Sequence, residues 1–562
     1  MENKIYYVCK YTPLELFAGF GTECKRLDPA PVSFDCADAC AHPNLCGYGK
    51  AVIEAVTAQN ITALVLTDCC DVMRRVYDVL KARDNLEFLY LLPLPHKCGE
   101  AEGRLFADAM ERMAEQWAVC SGQPFHPSAA LGAWQEGRKE AAEAAVTGPH
   151  ISVTGAHGGR LLLDTITPRF RLPVTDDTCT GRRELPSPAA PCEGEAAFFH
   201  IYAPALLAQA RPCMRMLDNR GRNIEAGTAG IIFHTIKFCD YYGFEYHKLR
   251  RREEVPLLKI ETDCTPQSRG QLRTRLDAFA ETLHAGVKER VASGAAIQYA
   301  AGVDSGSTST DAVVMDRKHR ILGSAVLPTG AGAASGAEKA LAQALAQAKL
   351  SRSQLDTVVT TGYGRETIGL SDDSVTEITC HARGAHFLYP DVRTVIDIGG
   401  QDSKVIRVDS DGGVMNFIMN DKCAAGTGRF LDMMARTLEL SLPEMSALGL
   451  EWKNDVVISS MCTVFAESEV VSLVANNTPA ADIIHGLNRA VAGKTSALAK
   501  RLGGEPAYMI TGGVAQNQGV VKALEEKLGT PVFVSPQSQL CGAIGAALIA
   551  LDGGAIGSRE SL

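Results

Sequence analysis

No stretch of this chain stays apolar for the roughly 18 residues that a membrane-crossing helix needs. Its first twelve residues, MENKIYYVCKYT, carry charged and polar groups rather than the apolar centre of a leader. A cytoplasmic protein with no membrane contact is expected. Basic charge is also short: 56 Lys and Arg stand against 65 Asp and Glu, a net charge of −9, which excludes the electrostatic footprint of a nucleic-acid binder. Fibrous or disordered bias is missing, since 46% of residues are hydrophobic and 22% charged. In a reducing compartment the 18 cysteines read as thiols or metal ligands rather than a disulfide framework, and most of them as small buried hydrophobes.

What is present divides into several parts, because 562 residues exceed one hydrophobic core. Short apolar runs such as ALVLTD (63–68) and HISVTGAHGG (150–159) alternate with helical stretches such as AEGRLFADAMERMAEQW (101–117), the βα alternation of parallel sheets. LPVTDDTCTGRRELPSPAAPCEGEA (172–196) has no apolar period and reads as a long loop. ASGAAIQYA (292–300) reads as a linker and puts the main boundary near residue 295. Beyond it AGVDSGSTSTDAVVMDRKHRI (301–321) and TVIDIGGQDSKVIRVDSDGGV (394–414) align without gaps at an offset of 93, Asp304 on Asp397, Gly306 on Gly399 and Asp316 on Asp409. Each is a strand ending in Asp, a glycine turn and a second strand, the pattern of a β-hairpin with a glycine tip. A further strand runs into Gly512 and Gly513 in AYMITGGVAQNQGV (507–520).

Backbone amides in a turn without Cβ atoms approach an anion closely, so a glycine tip beside a strand-end carboxylate suits a phosphate with its magnesium ion. One DSGST is usually an ordinary hairpin; two related by duplication, with a third glycine turn, are not. GVDSGSTST, VIDIGGQDSK and ITGGVAQN resemble the two phosphate motifs and the adenosine motif of the acetate kinase, sugar kinase, heat-shock chaperone and actin superfamily. That resemblance implies a duplicated ribonuclease-H-like α/β ATPase domain over residues 298–555, closing on Mg-ATP. It places Asp304 and Asp397 near the metal and makes them, with Gln401, the catalytic residues. Gly306, Ser307, Thr308, Gly399, Gly400 and Gln401 would surround the phosphates, and Gly512 and Gly513 the adenosine. Relatives usually carry Lys where Asp311 stands, so a cationic phosphate contact there is absent or supplied elsewhere.

Two single cysteines, Cys423 in NDKCAAGTGRFLDMMA and Cys462 in SSMCTVFAESEV, each precede a helical pattern. A thiolate at a helix N-terminus is stabilised by free amides and the dipole. Packed small residues are the plainer reading. As ligands, two sulfurs per chain fall short of the four a [4Fe-4S] cluster wants, and a two-fold axis between identical chains supplies the rest. These stretches closely resemble the activators of 2-hydroxyacyl-CoA dehydratases and the ATPase subunits of benzoyl-CoA reductases. The resemblance covers about residues 298–552. It implies a homodimer with one bridging [4Fe-4S] cluster on Cys423 and Cys462, a ferredoxin or flavodoxin as donor, and a dehydratase or double-cubane cluster protein as acceptor.

NLCGYGKAV, LVLTDCCDVMRRVYDVL, IIFHTIKFCDYYGFEY and PLLKIETDCTPQSRGQLRTRLDAF resemble the cluster-bearing subunits of those dehydratases and of double-cubane cluster proteins. The resemblance implies an α/β front domain over 1–294, with two Rossmann- or flavodoxin-like subdomains at about 1–148 and 149–294. Cys46, Cys70 and Cys239 would be ligands of a second cluster, with Cys69 a substitute for Cys70; a domain kept only for docking is the alternative. Cys36, Cys40 and Cys98 read as structural or undecided. The expected activity is ATP-driven, low-potential electron transfer. A self-contained dehydratase with a fused activator and a sugar kinase-like phosphotransferase are the alternatives.

Overall fold

The computed structural model describes residues 3–552, apart from 84, 189–193, 214, 217–223, 251–254, 267–268, 285–296, 331, 370, 422–423 and 460–461. It divides into two compact units, Met1–Leu276 and Asp277–Leu562. The division falls within the helix Arg269–His284, ahead of the segment read as a linker, whose residues 292–296 lie outside the described ones.

In the front unit two four-stranded sheets are built to one plan. The first runs Glu23–Arg26, Lys4–Tyr7, Ala63–Thr67, Phe88–Leu92; the second runs Val174–Thr178, His150–Gly155, Thr228–Ile236, Leu257–Thr262. In chain order each is second, first, third, fourth, and every pairing is parallel. ALVLT is buried at every position, as expected of a strand covered on both faces. One expectation is corrected: Val174–Thr178, inside the stretch read as a loop, is an edge strand. Its inward residues Thr175 and Asp177 are polar, and Asp177 accepts hydrogen bonds from Ser152 at 2.8 Å, Thr175 at 3.1 Å and Arg182 at 2.8 Å. Side-chain hydrogen bonding replaces apolar burial there, so no hydrophobic period marks the strand.

The rear unit repeats one five-stranded plan. Its sheets run Ile321–Pro328, Ser309–Asp316, Tyr299–Ser305, Thr357–Thr361, Asp373–Ser374, and Val414–Asn420, Ser403–Val408, Thr394–Ile398, Tyr508–Thr511, Val532–Val534. In each the first three strands in chain order are antiparallel and the last two parallel, the duplicated architecture the repeat implies.

Two helices, Glu377–Leu388 and Cys541–Leu551, pack backbone against backbone. A Cβ on Gly545 would lie 1.8 Å from the Cys380 carbonyl oxygen, and one on Gly384 2.1 Å from that of Cys541. Gly302 lets the strand Tyr299–Ser305 press as closely on Ala543. Any side chain at these points would force the elements apart. The packing carries His381 and the start of the second helix onto the end of the first hairpin.

Candidate functional site

The hairpins keep the register of the sequence repeat. Asp304 faces Asp311 across the first, and Asp397 faces Lys404 across the second. Each tip closes identically, Gly306 donating to the Ser309 carbonyl at 2.9 Å and Gly399 to that of Asp402 at 3.0 Å. The tips meet: a Cβ on Gly400 would lie 1.9 Å from Thr308 Oγ1 and 3.0 Å from Ser307 Oγ. Gln401 is exposed at the second tip. Gly512 adopts φ +82° against Asp397, where a Cβ would be 2.8 Å from Oδ1, while Gly513 borders open space. Gly362 does the same for Asp304, at φ +83° and 2.6 Å. Sequence reasoning passed over Gly362, although Thr361-Gly362 after its strand mirrors Thr511-Gly512.

His381, likewise unforeseen, lies between the repeats. Its Nε2 is 3.6 Å from Asp304 Oδ2, and its Nδ1 is 3.6 Å from Asp397 Oδ1 and 3.1 Å from Thr511 Oγ1. Burial opposes its protonation, but the charge of Asp397 and the bond to Asp304 outweigh burial and lift its pKa well above the ordinary value. Lys404 Nζ is 2.7 Å from Asp402 Oδ2 and 3.2 Å from Asp397 Oδ2. Burial disfavours its charge, yet Asp402 and Asp397 hold it protonated. Asp397 is pushed up by burial but held below the ordinary range by His381 and Lys404. Burial, then the charge of Asp304, pushes Asp311 up to about 8. Glu377 is buried with Arg365 Nη1 at 3.5 Å. At the heart of the site Asp304, Asp311, Asp397 and Asp402 thus face two cations, His381 and Lys404. That excess of carboxyl groups, with Asp311, Asp397 and Asp402 buried and Asp304 half-buried, fits a divalent cation with a polyphosphate. The cation missing at Asp311 stands at the equivalent place of the second repeat, as Lys404.

The second tip is tied to the segment that follows Cys423. The first amides of the helix Gly428–Thr437 donate to that turn, Gly428 to the Gly399 carbonyl at 2.8 Å and Arg429 to that of Gly400 at 2.9 Å. At its other end Thr437 Oγ1, which donates within the helix to the Met433 carbonyl at 3.1 Å, also lies 3.4 Å from Glu467 Oε1 on the helix Thr463–Ala475. Cys462 is the exposed N-cap of that helix. Beside it Val464, Phe465, Val471 and Val474 are 65%, 67%, 53% and 47% exposed, a concentration of apolar surface on one helix that typically marks a covered interface. Cys423 lies outside the described residues. Among the described residues, no three His, Cys, Asp or Glu side chains close around a single metal ion, and no helix is long and apolar enough to cross a membrane.

In the front unit cysteines gather where strands end. Cys9, Cys69, Cys179, Cys239 and Cys264 follow the strands Lys4–Tyr7, Ala63–Thr67, Val174–Thr178, Thr228–Ile236 and Leu257–Thr262 within three residues, the carboxyl edge at which open α/β sheets bind ligands. Cys46, Cys70 and Cys239 lie within electrostatic reach of one another, each beside backbone amides of the helix that follows. Burial pushes Cys46 up to about 11 and Cys239 up to about 12. Cys69 hydrogen-bonds both Cys9 and Cys70, lowering their pKa values while its own rises. The expected trio thus shares one region of the front unit with Cys9, Cys213 and Cys264, which the sequence offered only as scattered thiols, and among the described residues they do not close into a group that could hold a metal ion. Cys36 and Cys40 are set apart with Arg83, whose Nη2 donates to their sulfurs at 3.1 and 3.4 Å.

Comparison with known proteins divides the chain in the same way. Residues 301–550 match the BadF/BadG/BcrA/BcrD ATPase family. Residues 9–145 and 135–283 match the D-component of 2-hydroxyglutaryl-CoA dehydratase. The 2-hydroxyisocaproyl-CoA dehydratase activator of Clostridioides difficile is 43% identical over 254 residues, 45% of this chain and 95% of the relative. The (R)-2-hydroxyglutaryl-CoA dehydratase activating ATPase of Acidaminococcus fermentans is 46% identical over 253 residues, 45% of this chain and 96% of the relative. The crystal structure of component A of the Acidaminococcus fermentans dehydratase aligns with a TM-score of 0.44 at 45% identity, covering 45% of this chain and 98% of that one. One polypeptide thus joins a segment like a dehydratase component to a segment like a dehydratase activator.

Proposed function

Because the chain belongs to the BadF/BadG/BcrA/BcrD ATPase family, we propose that it uses ATP hydrolysis to drive single electrons from a ferredoxin or flavodoxin to a low-potential acceptor. That acceptor is a 2-hydroxyacyl-CoA dehydratase or double-cubane protein, or the thiol-rich front unit of the same chain. The observation that carries this reading is the chain of contacts from the second glycine turn, through the helix Gly428–Thr437, to the helix that Cys462 caps. The carbonyls of Gly399 and Gly400 hold the helix Gly428–Thr437 by its first amides, so a turn that reshapes around a γ-phosphate pulls on that helix. The close approach of Thr437 to Glu467 passes the shift to the helix that Cys462 caps. Such a two-state element is what converts a change of bound nucleotide into a change elsewhere.

On this reading Cys423 and Cys462 of two copies hold one [4Fe-4S] cluster, which supplies one-electron transfer when bound. The exposed Val464, Phe465, Val471 and Val474 support a second copy as the covering surface. Asp304 and Asp397 bind the magnesium ion of ATP, Ser307, Thr308, Gly399 and Gly400 wrap the phosphates, Gly512 and Gly513 border the adenosine, and Gln401 faces the terminal phosphate. In the front unit Cys46, Cys70 and Cys239 are the candidate ligands of a second cluster.

Anaerobic iron analysis and reduced-state EPR of Cys423→Ser and Cys462→Ser proteins test the proposal. Each substitution deletes two of four thiolates from a dimer, so the bridging cluster should be lost almost completely while nucleotide binding survives. A Cys462→Ser protein with an undiminished bridging signal would overturn the assignment.

A further inference from the structure

The repeated hairpins differ in charge at one matched position. In the second, Lys404 supplies an ammonium between Asp397 and Asp402. In the first, the counterpart is Asp311, directly across the strand pair from Asp304. Residues in register on neighbouring strands project to the same face, and two like charges so placed repel. Asp311 is 5% exposed. Its Oδ2 accepts from Ser309 Oγ at a long 3.4 Å, and among the described residues its buried Oδ1 has no hydrogen-bond partner. Its other cross-strand neighbour is the apolar Val326. His381 approaches Asp304 but is shared with Asp397. A buried carboxyl with an unused oxygen, set against a second carboxylate, is a costly arrangement that either a proton or a bound metal ion relieves.

Resting on the nucleotide-site reading above, we propose that Asp311 joins Asp304 and Asp397 as a direct ligand of the nucleotide's divalent cation, so that metal does in the first hairpin what the Lys404 ammonium does in the second. The consequence is an unusual dependence on metal. In the first hairpin the phosphates find no fixed protein cation at position 311 and rely on the ion carried between the two carboxylates.

The test uses the full-length protein, Mn²⁺ as the probe read by EPR of the free ion in the presence of ADP, and a fluorescent ADP analogue to measure metal-free binding in EDTA. Asp311→Asn should weaken Mn²⁺ binding by about 10- to 100-fold, the loss typical of disturbing a metal site, while metal-free nucleotide binding should not weaken, because a carboxylate that repels the phosphates is gone. Asp311→Glu, which keeps the carboxylate, should retain most of the Mn²⁺ affinity. Asp311→Lys should make nucleotide binding nearly independent of metal. Unchanged Mn²⁺ affinity in the Asn protein would overturn the proposal, as would an equal loss in the Glu and Asn proteins. Failure of the native protein to bind nucleotide at all would instead remove the reading beneath it.

Discussion

Lys404→Met is the most informative single perturbation of the rear unit. Lys404 is 5% exposed, and its ammonium sits 2.7 Å from Asp402 and 3.2 Å from Asp397. Methionine keeps the length and apolar stem, so the change removes charge with little volume. Deleting one partner of a buried ion pair strands the other in a medium that cannot solvate it, at a cost of about 3–5 kcal/mol. For a unit of this size, about 2–4 °C per kcal/mol gives a fall in Tm of ~6–20 °C. On the proposed function the site also loses its fixed cation beside the phosphates, and an effect the size of one charge-assisted contact, about 1.5–3 kcal/mol, predicts a roughly 10- to 100-fold rise in nucleotide Kd.

The two effects separate in a double variant. Lys404→Met with Asp402→Asn leaves one fewer orphaned carboxylate, so Tm should recover by about half, while nucleotide affinity stays low. Scanning calorimetry reads the first quantity and titration with ATP analogues the second. A Lys404→Met protein whose Tm and nucleotide affinity both match the native protein would refute the reasoning, because the buried charge network it depends on would then carry no energy.

In Gly542→Ala the new Cβ would sit 2.0 Å from Asp304 Oδ2 and 3.0 Å from His381 Nε2; the carboxylate must yield, costing about 1–3 kcal/mol and weakening Mg-ADP binding by titration calorimetry. In the front unit Glu15 accepts from Arg183 at 2.8 and 2.9 Å and from the Tyr202 hydroxyl. Burial raises its pKa, but the charge of Arg183 outweighs burial and holds it below its ordinary 4.5. A depressed carboxyl contributes stability above its unfolded value that is lost as pH falls through the folded one. Urea midpoints followed by tryptophan fluorescence should therefore drop below about pH 4.5 in the native protein, and Glu15→Gln should start lower and lose less over that range. Cys46→Ser and Cys239→Ser should leave the bridging cluster intact and reduce only a second iron population, measured as iron per chain after anaerobic reconstitution.

The repeat was legible because it lies in contiguous sequence: two strand-Asp-glycine-turn segments at a constant offset align by eye, and their strands and registers follow. The long-range partners were not legible. His381 is one histidine on an ordinary amphipathic helix, and nothing local distinguishes it from a core residue. Its role arises only because Gly384 and Gly545 let two helices touch and carry its ring between Asp304 and Asp397. The front thiols have the same origin. A single cysteine after a strand is unremarkable in sequence, and Cys9 and Cys264 gain meaning only when the ends of two separate sheets converge. Lys404 is the intermediate case, since aligning the repeat already sets it against Asp311 and the missing cation could have been sought in the duplicate. Duplication preserves backbone geometry more strictly than charge. The positions where the two copies share a fold but differ in charge are Asp311 against Lys404 and Ser309 against Asp402; on the proposal above one half keeps a fixed cation, and the other leaves its place to an ion that arrives with the nucleotide.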